Sequence, residues 1–238
     1  MKSHSFAVLD FGSQYTQLIA RRLREIGVYS EIFPYDISVE KLKSFEPSGI
    51  ILSGGPSSVT EKDSPKRNVK PLVDLAPVLG ICYGMQLIAK DLGGDVQSSG
   101  GGEYGLNHVD WIEPLAAGNG VQRRQKVWMS HGDIVEKAPA GMKIIARSGS
   151  GHAAAMKGER VWALQFHPEV SHTENGKELL KSFALEFCGA QPNWNSAQIL
   201  EELITNIRAK IPDDEHVLCA LSGGVDSTVV GNLLTRAL

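Results

Sequence analysis

The chain has 238 residues, 42% hydrophobic and 21% charged, with a formal net charge of −3, so it is a globular chain with room for one good-sized domain and part of another. The small net charge leaves no electrostatic footprint for nucleic acid or a membrane surface, and no apolar run is long enough to cross a bilayer. Met1-Lys2-Ser3-His4 leads directly into an apolar stretch with no secretory leader pattern, and three widely spaced cysteines do not form a disulfide framework, which suits the cytoplasm.

In chain order, residues 6–9 read as a buried strand and Asp10-Phe11-Gly12-Ser13 as a turn. Tyr15, Leu18, Ile19, Leu23 and Ile26 then recur at helical period, and Gly27 closes that helix. A strand over 28–33, a short helix over 39–45 and a strand over 49–52 follow, the last closed by Ser53-Gly54-Gly55-Pro56. A polar, proline-broken stretch leads to a fourth strand just before Cys82, and a helix over 85–92 stops at Gly93-Gly94. Strands alternating with helices at this spacing imply right-handed crossovers and a parallel sheet. After residue 94, glycine-rich turns separate short β-like runs at 107–112, 127–129, 144–147 and 161–166, and helical character returns over 176–187. The expected fold is α/β: a flavodoxin-like, mostly parallel sheet with flanking helices and an added antiparallel portion at its edge, with room for a small accessory sheet.

Residues 189–196 read as a linker, and Asn195 as the cap of a helix with apolar face Ile199, Leu200, Leu203, Ile204 and Ile207, ended by Pro212-Asp213-Asp214. A buried strand is expected over 216–221, then the loop Ser222-Gly223-Gly224-Val225-Asp226-Ser227-Thr228, then a helix from Val229. The implied organisation is a domain over 1–189, a linker and connecting helix over 190–214, and the start of a second α/β domain over 215–238.

Gly80-Ile81-Cys82-Tyr83-Gly84 carries the strongest chemical signal. A strand enters a sharp turn, the turn holds a cysteine, and a helix leaves, which is the layout of a nucleophile elbow. Free amides and the positive dipole end of the helix favour a thiolate there, and the glycines allow a tight bend and close approach to the sulfur. A nucleophilic cysteine needs a base. His167, in Gln165-Phe166-His167-Pro168-Glu169, ends a strand where α/β active sites form. Glu169 is placed to orient one imidazole nitrogen and leave the other for sulfur, giving a Cys82, His167, Glu169 triad. Cys188 and Cys219 read as small buried hydrophobes, and His108, His152 and His172 as structural or exposed. No cysteine and histidine cluster has metal-ligand spacing.

Other segments leave two readings open. Ser53 to Pro56 is either a turn or part of a site. Gln86 is a surface helix residue or a substrate contact one turn beyond Cys82. Ser130-His131-Gly132-Asp133 is a solvated turn or a polar loop whose aspartate receives an ammonium group. The 222–228 loop lacks the Walker A ending, yet combines glycines, hydroxyls and a helix start suited to anions; the plain alternative is a helix capped by Asp226 or Ser227.

The elbow followed by Gln86, with Phe166-His167-Pro168-Glu169, resembles the class I glutamine amidotransferases. The opening Asp10 to Arg22, Ser53 to Pro56, Ser130 to Asp133 and Val170-Ser171-His172-Thr173 are similar to the branch that aminates XMP. The resemblance implies glutamine hydrolysis through a cysteine thioester, with Gly55 and Tyr83 amides as the oxyanion site. It further implies glutamine binding by Gln86 and by Ser130, His131, Gly132 and Asp133. It assigns Ser222, Gly223, Gly224, Val225, Asp226, Ser227 and Thr228 to a pyrophosphate loop for ATP with Mg2+, in an adenylating half that continues beyond this length in complete members and ends in a dimerisation domain. The glutaminase step itself requires no cofactor. Two alternatives stand beside this: the glutaminase part of another amidotransferase, and a silent regulatory module of the same fold. One departure is Gly102, where the family often carries arginine before Glu103-Tyr104-Gly105.

Overall fold

The computed structural model describes residues 5–115, 123–212 and 215–238. It divides into two compact units, Met1–Asn193 and Trp194–Leu238. In the first unit, β1 (Ser5–Asp10), α1 (Thr16–Glu25), β2 (Tyr29–Pro34), α2 (Val39–Phe45), β3 (Pro47–Leu52), α3 (Lys70–Leu75), β4 (Val78–Ile81) and α4 (Tyr83–Asp91) alternate. The spacing predicts all of these but α3, which lies in the stretch read as proline-broken; its proline sits in the first turn, where a helix tolerates it. Then come β5 (Asp95–Trp111), β6 (Arg124–Lys137), β7 (Lys143–Ser148), β8 (Ala153–Lys157), β9 (Val161–Leu164) and α5 (Gly176–Lys181), which continues as a π-helical turn over Ser182–Phe187.

All nine strands form one sheet in the order β2-β1-β3-β4-β9-β8-β7-β5-β6. The first five pair in parallel, and the rest are antiparallel. The added strands extend the edge, as expected. There is no separate accessory sheet among the described residues, because β7 pairs with the far end of β5 through Val109, Asp110 and Trp111 and keeps the sheet continuous.

The inner parallel strands β1, β3, β4 and β9 carry largely apolar runs because both their faces are covered, whereas the edge strand β2 is half-buried and mixed. Side chains alternate between two cores. Phe6, Val8 and Ile51 join Ile19, Leu23, Leu180 and Phe183 on one face. Ala7, Leu9, Ile50 and Leu52 join Leu42, Met85 and Ile88 on the other. The C-terminal ends of β1, β3, β4 and β9 therefore emerge side by side, and the loops that follow them can converge.

In the second unit, α6 (Ser196–Lys210) begins with the Ile199 N–H bonded to the Asn195 carbonyl, 3.0 Å. Asp213 and Asp214 lie outside the described residues. Arg208 donates to the Ala237 carbonyl at 2.8 Å, where a cation meets the negative end of α7 (Val225–Ala237). Residues 216–221 are not the buried strand the sequence predicts. They are irregular, with Leu218 99% and Leu221 64% exposed, because no strand among the described residues pairs with them. The final helix also starts earlier than Val229. No helix among the described residues is long and apolar enough to cross a membrane.

Candidate active site

Cys82 sits between β4 and α4 with φ 53° and ψ −105°, a backbone conformation that L-residues seldom hold without support. The support is packing and hydrogen bonds. Its N–H donates to the Leu164 carbonyl at 2.7 Å, and the Gly84 N–H to the Ser53 carbonyl at 3.1 Å. The flanking glycines serve this packing rather than access to the sulfur. A Cβ on Gly80 would lie 2.5 Å from Ile88 and 2.6 Å from the Gly84 backbone, and one on Gly84 would lie 2.4 Å from the Leu52 carbonyl oxygen. Open space beside the sulfur comes instead from Gly54, whose Cβ position is 3.6 Å from Cys82 Cβ and 3.1 Å from His167 Cε1.

The loop after β3 is stapled to the loop after β1. Ser53 Oγ accepts from the Phe11 N–H at 3.0 Å and donates to the Gly54 carbonyl at 2.8 Å. Asp10 in turn accepts from the Gly12 N–H and the Thr16 hydroxyl, which folds the turn ahead of α1. These bonds explain why both short motifs belong to one site.

His167 and Glu169 lie on the turn after β9, both buried. Glu169 Oε1 is 2.7 Å from His167 Nδ1, so that nitrogen carries the proton and Nε2 is left for a partner. Burial pushes the His167 pKa down, and hydrogen bonding to Cys82 and Glu169 overcomes it and lifts the group to about 10. Three residues hold the turn. The His167 N–H donates to the Trp128 carbonyl at 3.0 Å. Thr173 donates to the His167 carbonyl at 2.6 Å and accepts from the Trp128 N–H at 3.0 Å. Arg22 Nε donates to the Glu169 carbonyl at 3.0 Å. Thr173 and Arg22 fall inside sequence motifs, yet nothing in those motifs gives either residue a role.

The Cys82 thiol donates to the Ser130 carbonyl at 3.4 Å. Around it lies a cavity of about 280 Å³, whose wall includes Gly55, Cys82, Gln86, Ser130, Gly132 and Asp133. Neither the Gly55 N–H nor the Tyr83 N–H has a hydrogen-bond partner among the described residues, so both remain available to an oxyanion. Residues 130–133 are not the turn or loop the sequence suggests: they lie within β6, because Ser98, Glu103 and Tyr104 of β5 pair with Asp133, His131 and Ser130, and side chains brace them there. Gln86 Nε2 donates to the Asp133 carbonyl at 3.1 Å and to Gln165 Oε1 at 3.3 Å. His131 Nδ1 lies 2.9 Å from the Asp133 carbonyl and its Nε2 3.2 Å from Glu103 Oε2. Gln86 Nε2 and His131 Nδ1, on residues both expected to touch substrate, thus hold this stretch of β6. The Asp133 carboxylate accepts from the Ser58 hydroxyl. Burial raises the Glu103 pKa, but the neighbouring His131, Ser148 and Ser150 side chains outweigh it and bring it to about 2. The Ser58 and Glu103 contacts carried no local signal, because their partners are distant in sequence.

Gly102 precedes Glu103 with φ +64°, and a Cβ there would lie 2.5 Å from the His131 carbonyl oxygen. The backbone at this position suits glycine and not arginine. In the other unit, the loop before α7 is exposed: the Ser222 and Ser227 hydroxyls are 3.1 Å apart, and Ser227 and Thr228 donate to the Gly224 carbonyl at 3.0 and 2.9 Å. Gly224 is the N-cap, and neither Asp226 nor Ser227 caps the helix. The first-turn amides of this 13-residue helix are where an anion would bind.

The family model for glutamine amidotransferase class-I matches residues 7–187. A GMP synthase (glutamine-hydrolyzing) of Bdellovibrio bacteriovorus is 56% identical over 233 residues, 98% of this chain and 46% of that protein. One from Lactobacillus johnsonii is 47% identical over 234 residues, 97% of this chain and 45% of that protein. The chain thus spans about half the length of the curated relatives it matches. Among solved structures, a Thermoplasma acidophilum protein described as one subunit of a GMP synthase superposes with a TM-score of 0.66 at 27% identity, covering 85% of this chain and 99% of that one.

Proposed function

The chain belongs to the class-I glutamine amidotransferase family, and we propose that it hydrolyses glutamine to glutamate and ammonia at Cys82 and so feeds the amination of XMP to GMP. The observation that carries the reading is the buried His167–Glu169 pair, 2.7 Å apart, whose His167 shares a cavity wall with Cys82. Glutamine fills the 280 Å³ cavity with its ammonium group toward Asp133 and its carboxamide at the sulfur. The sulfur passes its proton to His167 Nε2 and attacks the carboxamide carbon, and the Gly55 and Tyr83 amides receive the charge that develops on oxygen. His167 gives its proton to the departing nitrogen as the C–N bond breaks, leaving a thioester and free ammonia. It then takes a proton from water, whose oxygen attacks the thioester, and returns a proton to the sulfur as glutamate forms. Glu169 holds the imidazole in the tautomer this needs.

The second unit is the start of an adenylating half. Its loop Ser222-Gly223-Gly224 and the first turn of α7, Val225 to Thr228, fit the pyrophosphate of ATP, with Mg2+ carried on the nucleotide's phosphates. The three cysteines, none in a disulfide, fit a reducing cytosol. The test is glutamine hydrolysis by a full-length protein carrying Cys82→Ala. Loss of about three orders of magnitude is expected, at unchanged folding; full activity in the variant removes the assignment.

A further inference from the structure

Cys82 borders a second cavity. It has a volume of about 310 Å³, and its wall includes Gly12, Gln14, Tyr15, Cys82, Ser130 and His167. The first cavity is bounded by Gln86 and Asp133 and not by His167; the second is bounded by His167 and not by Gln86 or Asp133. The two meet at Gly55, Pro56, Cys82 and Ser130. Tyr15 presses edge-on against the His167 ring, with centroids 5.2 Å apart, so the loop after β1 closes the far side of the imidazole.

We propose that the second cavity is the compartment through which ammonia leaves and the hydrolytic water enters, with glutamine confined to the first. This rests on the glutaminase reading above. The chemistry dictates the division. The leaving nitrogen must face the acid that protonates it, so it departs on the His167 side of the sulfur. The thioester's acyl chain then still fills the first cavity, and its oxygen faces Gly55 and Tyr83. Water can reach the thioester carbon only from the side that ammonia vacated, where His167 stands as its base. Any small nucleophile that replaces water takes the same route: hydroxylamine attacks through nitrogen, loses a proton to His167, expels the sulfur and yields the hydroxamate.

Gln14 is exposed on the second cavity's wall and absent from the first, which makes it the position to test. The parent chain is first labelled at Cys82 by a glutamine-like chloroketone, the thiolate displacing chloride; protection by glutamine supports the proposed function, and no labelling sinks that function itself. Gln14→Trp is expected to label at a rate within about twofold of the parent, since glutamine's side is untouched. Its turnover falls about tenfold or more, acid quenching traps glutamyl-enzyme, and the hydroxamate-to-glutamate ratio drops because hydroxylamine is larger than water. Gln14→Ala is expected to raise that ratio. A Gln14→Trp protein that labels normally but accumulates no thioester, with the ratio unmoved in both variants, overturns the compartment assignment while leaving the glutaminase reading intact. A rise in the glutamine KM with no thioester also overturns it, by placing glutamine on this side.

Discussion

Replacing Glu169 by glutamine isolates what the carboxylate contributes behind Cys82. The side chain is fully buried and its Oε1 lies 2.7 Å from His167 Nδ1, so the amide keeps the volume and removes the charge. A charge-assisted bond of this kind stabilises by about 1.5–3 kcal/mol. Burial pushes the His167 pKa down, and Cys82 and Glu169 lift it to about 10 against that penalty. The variant keeps the penalty and loses one support, so its His167 pKa falls. A raised histidine pKa contributes stability that is fully present below the unfolded value of about 6.5 and is lost as pH rises through the folded value. The parent should therefore lose stability between that point and about pH 10, and Glu169→Gln should start lower and decline less. Urea denaturation at pH 6, 8 and 9.5 reads the two slopes. Glutamine turnover should fall by about 10²–10⁴-fold, because the imidazole loses the partner that sets its tautomer. Parallel stability curves together with turnover within threefold of the parent would refute the pair's role.

The parallel half and the placement of Cys82, His167 and Glu169 at one end of it were legible because their signals are local. A strand covered on both faces reads as an apolar run, and an elbow or a His-Pro-Glu turn places its residues within a few positions of one another. The antiparallel half was less legible. Ala153–Lys157 lacks alternation and is rich in a helix former, yet β7 and β9 capture it as β8. The glycines at 100–102 look like a break, but β5 passes through them with a shift of register between Ser98 and Glu103. The opposite error arose at 216–221, where an apolar run lacks a partner strand and stays irregular. In the site, the hidden part is the bracing: Arg22 to Glu169, Ser58 to Asp133 and Glu103 to His131 join separate elements. No spacing in one chain segment announces such pairs; only the sheet order brings them together.

Three further substitutions probe that bracing. Thr173→Val keeps the shape and removes both hydroxyl bonds to the His167 turn, so stability should fall by about 1–3 kcal/mol and kcat more than KM; an unchanged kcat would make Thr173 a passive staple. Gly80→Ala forces a methyl onto the Gly84 backbone, which cannot yield as a side chain does, and should cost about 1–3 kcal/mol, seen as a lower thermal midpoint. Gly102→Arg introduces the residue that the resemblance implies at this position and should nonetheless harm this chain. The position has φ +64°, which costs any L-residue about 1–2 kcal/mol. Its Cβ would also stand 2.5 Å from the His131 carbonyl oxygen, so the stretch of β6 carrying Asp133 must shift. On the proposed glutamine site, KM should rise several-fold and by more than kcat falls, because the displaced stretch carries Asp133, proposed to receive the ammonium group, while His167 and Glu169 lie on another turn. The origin of the effect is separable. If the Cβ is responsible, Gly102→Ala shifts KM as Gly102→Arg does; if only the arginine variant shifts it, the guanidinium acts and the steric argument is wrong.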